Sequence, residues 1–142
     1  MHPAESRLVL DTNTLISRML MPDGIAGRAV DKALAEGVLL VSEESIKELA
    51  TVLSRPKFDR YVSLSDRRAF LSSLSGVVRM VAITHRVRAC RDPEADMILH
   101  VALNGEASRL ITGDLDLLVL ADSFGKSHGL QILSPAQYLA LP

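Results

Sequence analysis

Five acidic residues of this 142-residue chain fall where they could hold a cation: Asp11, Glu48, Asp96, Asp114 and Asp116. Asp11 ends the apolar run Leu8-Val-Leu-Asp11, and Asp114 follows a second, Leu110-Ile-Thr-Gly-Asp114. In an open parallel sheet, ligands bind beyond the carboxyl ends of the strands. Two acids at strand ends therefore face one rim. Asp116 falls in the first turn of a helix that starts at that rim. Asp96 lies in the first turn or so of a helix opening at Pro93; that helix enters the fourth strand, so topology constrains Asp96 less. Glu48 is mid-helix in Ile46-Lys-Glu-Leu-Ala50.

Each acid alone has an ordinary explanation. An Asp after a strand is often the N-cap of the next helix, which fits Asp114 and, before Pro93, fits Asp92 better than a ligand role. Asp116 alone reads as a first-turn acid favoured by the helix dipole, and Glu48 as a solvated helix acid. The combination is harder to explain so. Two like charges about 4 Å apart repel by about 4 kcal/mol at an effective dielectric of about 20. Hard divalent cations with oxygen ligands relieve such repulsion. A pair of them can activate water and stabilise the leaving oxygen in phosphodiester cleavage.

The elements that must position these acids are legible as an alternation. Strand-length apolar runs occupy 7–11, 38–42, 78–84, 109–112 and 130–134. Between and after them, helical segments are expected over 25–36, 43–55, 65–76, 93–105, 116–123 and 136–141. Gly37 and Gly105 fall where a helix would stop on a left-handed residue. Asp92-Pro93 and Ser134-Pro135 read as an N-cap followed by Pro at the first helical position. Strand alternating with helix predicts α/β architecture, a parallel sheet covered on both faces. With no repeat, low-complexity tract or linker, residues 1–142 read as one domain.

Composition narrows the class. Sixteen Lys+Arg against seventeen Asp+Glu give a net charge of −1, which excludes nucleic-acid binding by bulk charge alone but not a nuclease with a local site. With three Phe, two Tyr and no Trp, the core must be aliphatic. The sole cysteine, Cys90, cannot form an internal disulfide. No apolar run approaches the roughly 20 residues of a membrane span, and the opening MHPAESRLVLD is too polar for a signal peptide. A cytoplasmic protein with no membrane association is expected.

Other chemistry is thinly supported. His100 follows Asp96 by four residues, but without further zinc ligands it reads as a surface or packing histidine. His2, His85 and His128 have no visible partners. Nothing near Cys90 marks an activating base. There is no phosphate-binding loop and no nucleophile-elbow serine. Basic residues gather at Arg55, Lys57, Arg60, Arg67 and Arg68, and again at Arg86, Arg88 and Arg91. They read as solvated surface or, if functional, as phosphate contacts around the acidic rim. Met19-Leu-Met21 reads as core or as a partner-facing surface.

Five motifs in order resemble the PIN domain, a metal-dependent ribonuclease fold found among toxins of the VapC kind. Leu8-Val-Leu-Asp-Thr-Asn13 is similar to the family's opening strand. Glu48-Leu49 and Leu53-Ser-Arg-Pro-Lys-Phe58 resemble its second-acid helix. Arg91-Asp-Pro-Glu-Ala-Asp96 resembles the third-acid helix, and Ile111-Thr-Gly-Asp-Leu-Asp-Leu-Leu118 the fourth motif. Ile132-Leu-Ser-Pro-Ala-Gln-Tyr-Leu139 resembles its closing strand and helix.

The resemblance implies a three-layer α/β/α sandwich around a parallel sheet of about five strands, with Mg²⁺ or Mn²⁺ in an acidic pocket. It implies catalytic, metal-binding roles for Asp11, Glu48, Asp96 and Asp114, with Asp116 as an adjacent ligand or as an acid that supports the ligands from behind. Asn13 and Thr112 would orient carboxylates or water, and Asp92, one turn before Asp96, could assist. One departure stands out. Positions 95 and 96 are commonly both Asp in the most similar subgroup, and here they are Ala95 and Asp96; a ligand at 95 would be missing. The activity implied is cleavage of RNA by the toxin half of a toxin–antitoxin pair, with a protein antitoxin and a homodimer as partners. The alternatives are a catalytically silent PIN-like binding module and a phospho-accepting receiver-type domain. The receiver needs an Asp after strand three, where this chain has Ala82-Ile-Thr84.

Overall fold

The structure, a computed structural model, describes residues 6–142; His2 and most of the polar opening read as no leader lie outside the described residues. Five strands form one all-parallel sheet: β1 (Ser6–Leu10), β2 (Gly37–Val41), β3 (Arg79–Met80), β4 (Arg109–Ile111) and β5 (Gln131–Leu133), in the order β3-β2-β1-β4-β5. The helices are α1 (Thr12–Leu20), α2 (Ile25–Glu36), α3 (Glu43–Leu53), α4 (Leu64–Ser75), α5 (Pro93–Asn104), α6 (Leu115–Leu118), α7 (Ala121–His128) and α8 (Pro135–Leu139), with a 3₁₀ turn at Pro56–Phe58.

Strand alternation builds the layers. Leu8 and Leu10 face one side, with Leu39 and Ile111, under α1–α4 and α8. Val9 faces the other, with Leu40 and Leu110, under α5 and α6. This is the three-layer α/β/α sandwich expected. The core is aliphatic, apart from buried Phe58 and Tyr138. Beyond β1 the chain builds β2 and β3 on one side, then crosses back to place β4 on the other. The β1/β4 junction is therefore the point where strand order reverses, and a crevice opens there at the carboxyl ends. A receiver-type sheet runs 2-1-3-4-5, so this order sets that alternative aside. Among the described residues, no helix is long and apolar enough to cross a membrane.

Several expected elements differ. Helix α1 occupies a stretch with no expected helix, so Met19 packs partly on the core while Leu20 and Met21 stay exposed. The run 78–84 supplies only a two-residue edge strand. The expected 116–123 helix is two helices, α6 and α7, broken at Val119-Leu120. Neither Gly37 nor Gly105 is left-handed. Gly37 has extended backbone and lies so close to the Ser6 carbonyl oxygen that a Cβ would collide with it. Gly105 is right-handed, and a Cβ there would meet Leu40 at 2.5 Å. Among the described residues, the left-handed ones are Glu106 (φ 52°) and Gly129 (φ 64°).

Candidate active site

Asp11 leaves β1 at the reversal point and serves as the N-cap of α1. Its Oδ1 accepts from the Thr14 amide at 2.8 Å, and its Oδ2 accepts from the Thr112 hydroxyl at 2.5 Å. Thr112 follows β4 and is fully buried. Its hydroxyl oxygen also accepts the Asp114 amide at 2.9 Å. Asp114 in turn caps α6, with Oδ1 accepting the Asp116 amide at 2.9 Å. Asp11 and Asp114 are thus tied to each other through one buried hydroxyl, each with an orientation fixed by capping.

Both open onto a cavity of about 430 Å³ at the sheet's carboxyl end. Glu48 from α3 and Asn13 from α1 reach it, as do Asp92 and Glu94 at the start of α5. Asp92 caps that helix, with Oδ1 accepting the Glu94 amide at 2.9 Å. Glu94 holds its proton above the usual carboxyl range. The main cause is the charge of Glu48, near enough to share a hydrogen bond; slight burial and Asp92 add to it, and Arg55 opposes it.

The structure does not bring Asp96 to this wall. At the lining position stands Ala95. Asp96 is buried, with Oδ1 accepting the amides of Ala89 at 3.0 Å and Cys90 at 2.9 Å. One turn on, His100 Nε2 lies 2.9 Å from both the amide nitrogen and the carbonyl oxygen of Val87. Together they hold the irregular 84–90 segment against α5, which makes His100 a packing histidine. Asp116 opens on an adjoining shallow depression that shares Asp11, Asn13 and Asp114, and it pairs with Arg91 at 3.2 Å.

Two residues of the basic cluster, Arg55 and Lys57, line the acid-lined cavity, while Arg67 is buried rather than solvated. Arg86 pairs with Glu44 at 2.6 Å, which holds that carboxyl below its usual range. His128 has partners after all: its ring lies 2.6 Å from the Ser127 hydroxyl and stacks on Phe124. The Cys90 thiol is pushed up to about 11, first by burial and then by Asp96 and the neighbouring acids. It is a poor nucleophile at neutral pH.

Glu94 is the residue that sequence reasoning missed. Its signal was present: the first turn of a helix reaching the rim carries Asp92 and Glu94 as well as Asp96. The oxygen donors suit a hard divalent cation. As placed, however, no three Asp, Glu, His or Cys side chains among the described residues are gathered closely enough to hold one ion. The acids line a shared cavity; they do not form a closed cage.

The PIN domain family model matches residues 7–116. An uncharacterized protein of Methanocaldococcus jannaschii is 31% identical over 124 residues, covering 86% of this chain and 79% of that one. A chain in the crystal structure of VapBC2 from Rickettsia felis, bound to a DNA fragment from their promoter, superposes with a TM-score of 0.58 at 10% identity. The match covers 90% of this chain and 98% of that one; at such identity it speaks for the fold alone.

Proposed function

The chain belongs to the PIN domain family, and from that membership and its acid-lined rim we propose that it is a metal-dependent endoribonuclease, the toxin half of a toxin–antitoxin pair. One observation carries the reading: acids from the two central strand ends, Asp11 and Asp114, open on the same cavity as Glu48 and Glu94. Asp11, Glu48, Asp114 and Glu94 would hold Mg²⁺ or Mn²⁺, with Asp92 and Asp116 at the margins. Bound there, the ion supplies charge neutralisation and a more acidic water. The residues supply the orientation. Thr112 fixes Asp11, the α6 cap fixes Asp114, and Asn13 offers an amide to water or phosphate. Water would attack the phosphorus of an RNA phosphodiester and the leaving oxygen would depart; no separate general base is assigned.

Glu94 answers the gap at Ala95. It precedes that position on the same helix, has one more methylene than Asp, and already meets Glu48. Asp96, with Oδ1 accepting two amides, anchors the 84–90 segment. Ala95 also favours a second reading, a catalytically silent PIN module that only binds. Incubating wild type, Glu94→Gln and Glu94→Gln/Ala95→Asp with a mixed RNA pool in Mn²⁺ separates the two. The nuclease reading expects cleavage, its loss, and its partial return. The silent module expects no cleavage from the wild type.

A protein antitoxin is expected to dock at this rim and insert a basic side chain among the carboxylates, making paired charge-assisted bonds. The structural neighbour of this chain is part of a VapBC2 assembly, and a partnered state is proposed here by that likeness. A homodimer, a single domain over 1–142 and a cytoplasmic setting complete the proposal. Co-expression with the neighbouring gene product, followed by size measurement and the cleavage assay, tests the partnership. A stable complex of undiminished activity would count against inhibition at the rim.

A further inference from the structure

Part of the cavity lining, Arg55, Lys57 and Phe58, comes from a turn, residues 53–59, with an unusual anchor. Arg67 of α4 is 3% exposed, yet its guanidinium is spent on this turn alone. Nη1 donates to the carbonyl oxygens of Leu53 at 2.9 Å and Arg55 at 3.3 Å, and Nη2 meets Asp59 at 2.6 Å. Leu53 and Phe58 fix the turn from below, since both are buried in the core. Pro56 holds Arg55 extended ahead of it. The Lys57 ammonium lies 5.2 Å from the Phe58 ring centroid, within cation–π range. The two side chains left projecting at the cavity are cationic, Arg55 and Lys57, and neither forms an ion pair among the described residues.

A buried guanidinium is costly unless it is well paired. Capping the C-terminal carbonyls of α3 would account for the bond to Leu53. It does not account for the bonds to Arg55 and Asp59, which lie beyond the helix and fix the turn that presents the cations. Asp92 and Glu94 line the same cavity. The cavity therefore carries acidic and basic groups together. An anionic strand crossing it can place one phosphate toward the acids, across a cation, and the next against the basic lip.

We propose that the 53–59 turn is a phosphate-binding lip, in which Arg55 and Lys57 take the phosphodiester neighbouring the scissile one and Arg67 is the positioning residue that sets the lip. This rests on the nuclease reading for the scissile phosphate, but the lip's contact with an anionic strand is measurable without cleavage.

The probe is a fluorescent, cleavage-resistant phosphorothioate RNA 12-mer, with binding followed in Mg²⁺ across a salt series. Arg55→Gln/Lys57→Gln changes two exposed residues, so the fold should persist. Two lost phosphate contacts should make the salt slope shallower by about 1.4 and weaken binding roughly 25-fold near 0.1 M salt. Arg60→Gln/Arg68→Gln removes the same charge away from the cavity and should change the slope by less than half as much. Arg67→Lys keeps the charge but not the three-bond fork. It should weaken binding at unchanged net charge, whereas a mere helix cap would lower the melting temperature alone. If that variant does not fold, the two double variants still decide. Equal affinity and slope in the wild type and the lip variant would overturn the proposal, and so would absent binding by the wild type. Cleavage assayed in parallel separates the two ideas. Cleavage with lip-independent binding removes only the lip; lip-dependent binding without cleavage removes only the nuclease.

Discussion

Thr112 donates its buried hydroxyl to Asp11 Oδ2 at 2.5 Å, and so locks together the carboxyl ends of β1 and β4. The same oxygen receives the Asp114 amide at 2.9 Å. Thr112→Val keeps the shape but deprives one oxygen of Asp11 of its donor and leaves the Asp114 amide without its acceptor. The expected loss is about 1–3 kcal/mol in urea unfolding, with activity falling as well. Thr112→Ser, which retains the hydroxyl, should recover most of both.

Asp96 and Asp114 should respond differently to the same chemical change. Asp96→Asn keeps an oxygen to accept the Ala89 and Cys90 amides, so cleavage should stay within a few-fold of wild type. Asp96→Ala removes both acceptor bonds and should cost about 2 kcal/mol, near 1 for each bond. Loss of cleavage in a folded Asp96→Asn would return Asp96 to the list of cation ligands.

Glu94 predicts a pH dependence. Its folded-state carboxyl titrates above the ordinary 4.5, chiefly because of Glu48. The native state therefore binds that proton more tightly than the unfolded chain, and stability declines as pH rises from about the ordinary value through the raised one. In EDTA, Glu94→Gln should melt at or above the wild-type temperature at neutral pH and show a flatter profile through that window. Most substitutions do the reverse, costing about 0.5–3 kcal/mol. A lower melting temperature at neutral pH would contradict crowding between the two acids.

Cys90 gives a check that involves no RNA. With its thiol pushed up to about 11, alkylation by iodoacetamide at pH 8 should be far slower than for a free cysteine, since the thiolate is the nucleophile. Asp96→Asn should speed it, because Asp96 is the second cause of the shift. A rate equal to that of a free cysteine would refute the shielding.

The acids at strand ends were legible because β1 and β4 are short apolar runs, with an Asp directly beyond β1 and another past the Thr112-Gly113 that follow β4. Helix α1 was not. Thr12-Asn-Thr-Leu-Ile-Ser carries β-branched and polar residues of weak helix propensity, and its N-cap, Asp11, is also the residue that ends an apolar strand run. The run 78–84 is apolar and of strand length, but only Arg79 and Met80 form a strand on β2, with the Val81 amide adding one bond to the Val41 carbonyl oxygen at 2.8 Å. Beyond them, α5 side chains hold the backbone: Asn104 at Thr84 and His85, His100 at Val87, Asp96 at Ala89 and Cys90. Such side-chain contacts leave no periodic trace. Which of the α5 residues 94–96 lines the cavity was not legible for a related reason. Helix α5 is buried over much of its surface, with Ala95, Asp96, Ile98, Leu99, His100, Val101 and Ala102 all inside. No single stripe showed which residue turns to the rim.

The most direct measurement is a time course of RNA cleavage in Mn²⁺ by purified wild type and Asp114→Asn. Asn caps a helix as well as Asp does, so the variant keeps the α6 cap and loses only the charge. Wild type should cleave, stop on addition of EDTA, and exceed the variant by at least about 100-fold, the upper end of what outer-shell changes cost metal sites. Cleavage that continues in EDTA, or that Asp114→Asn leaves undiminished, would contradict a metal-dependent nuclease built on this rim.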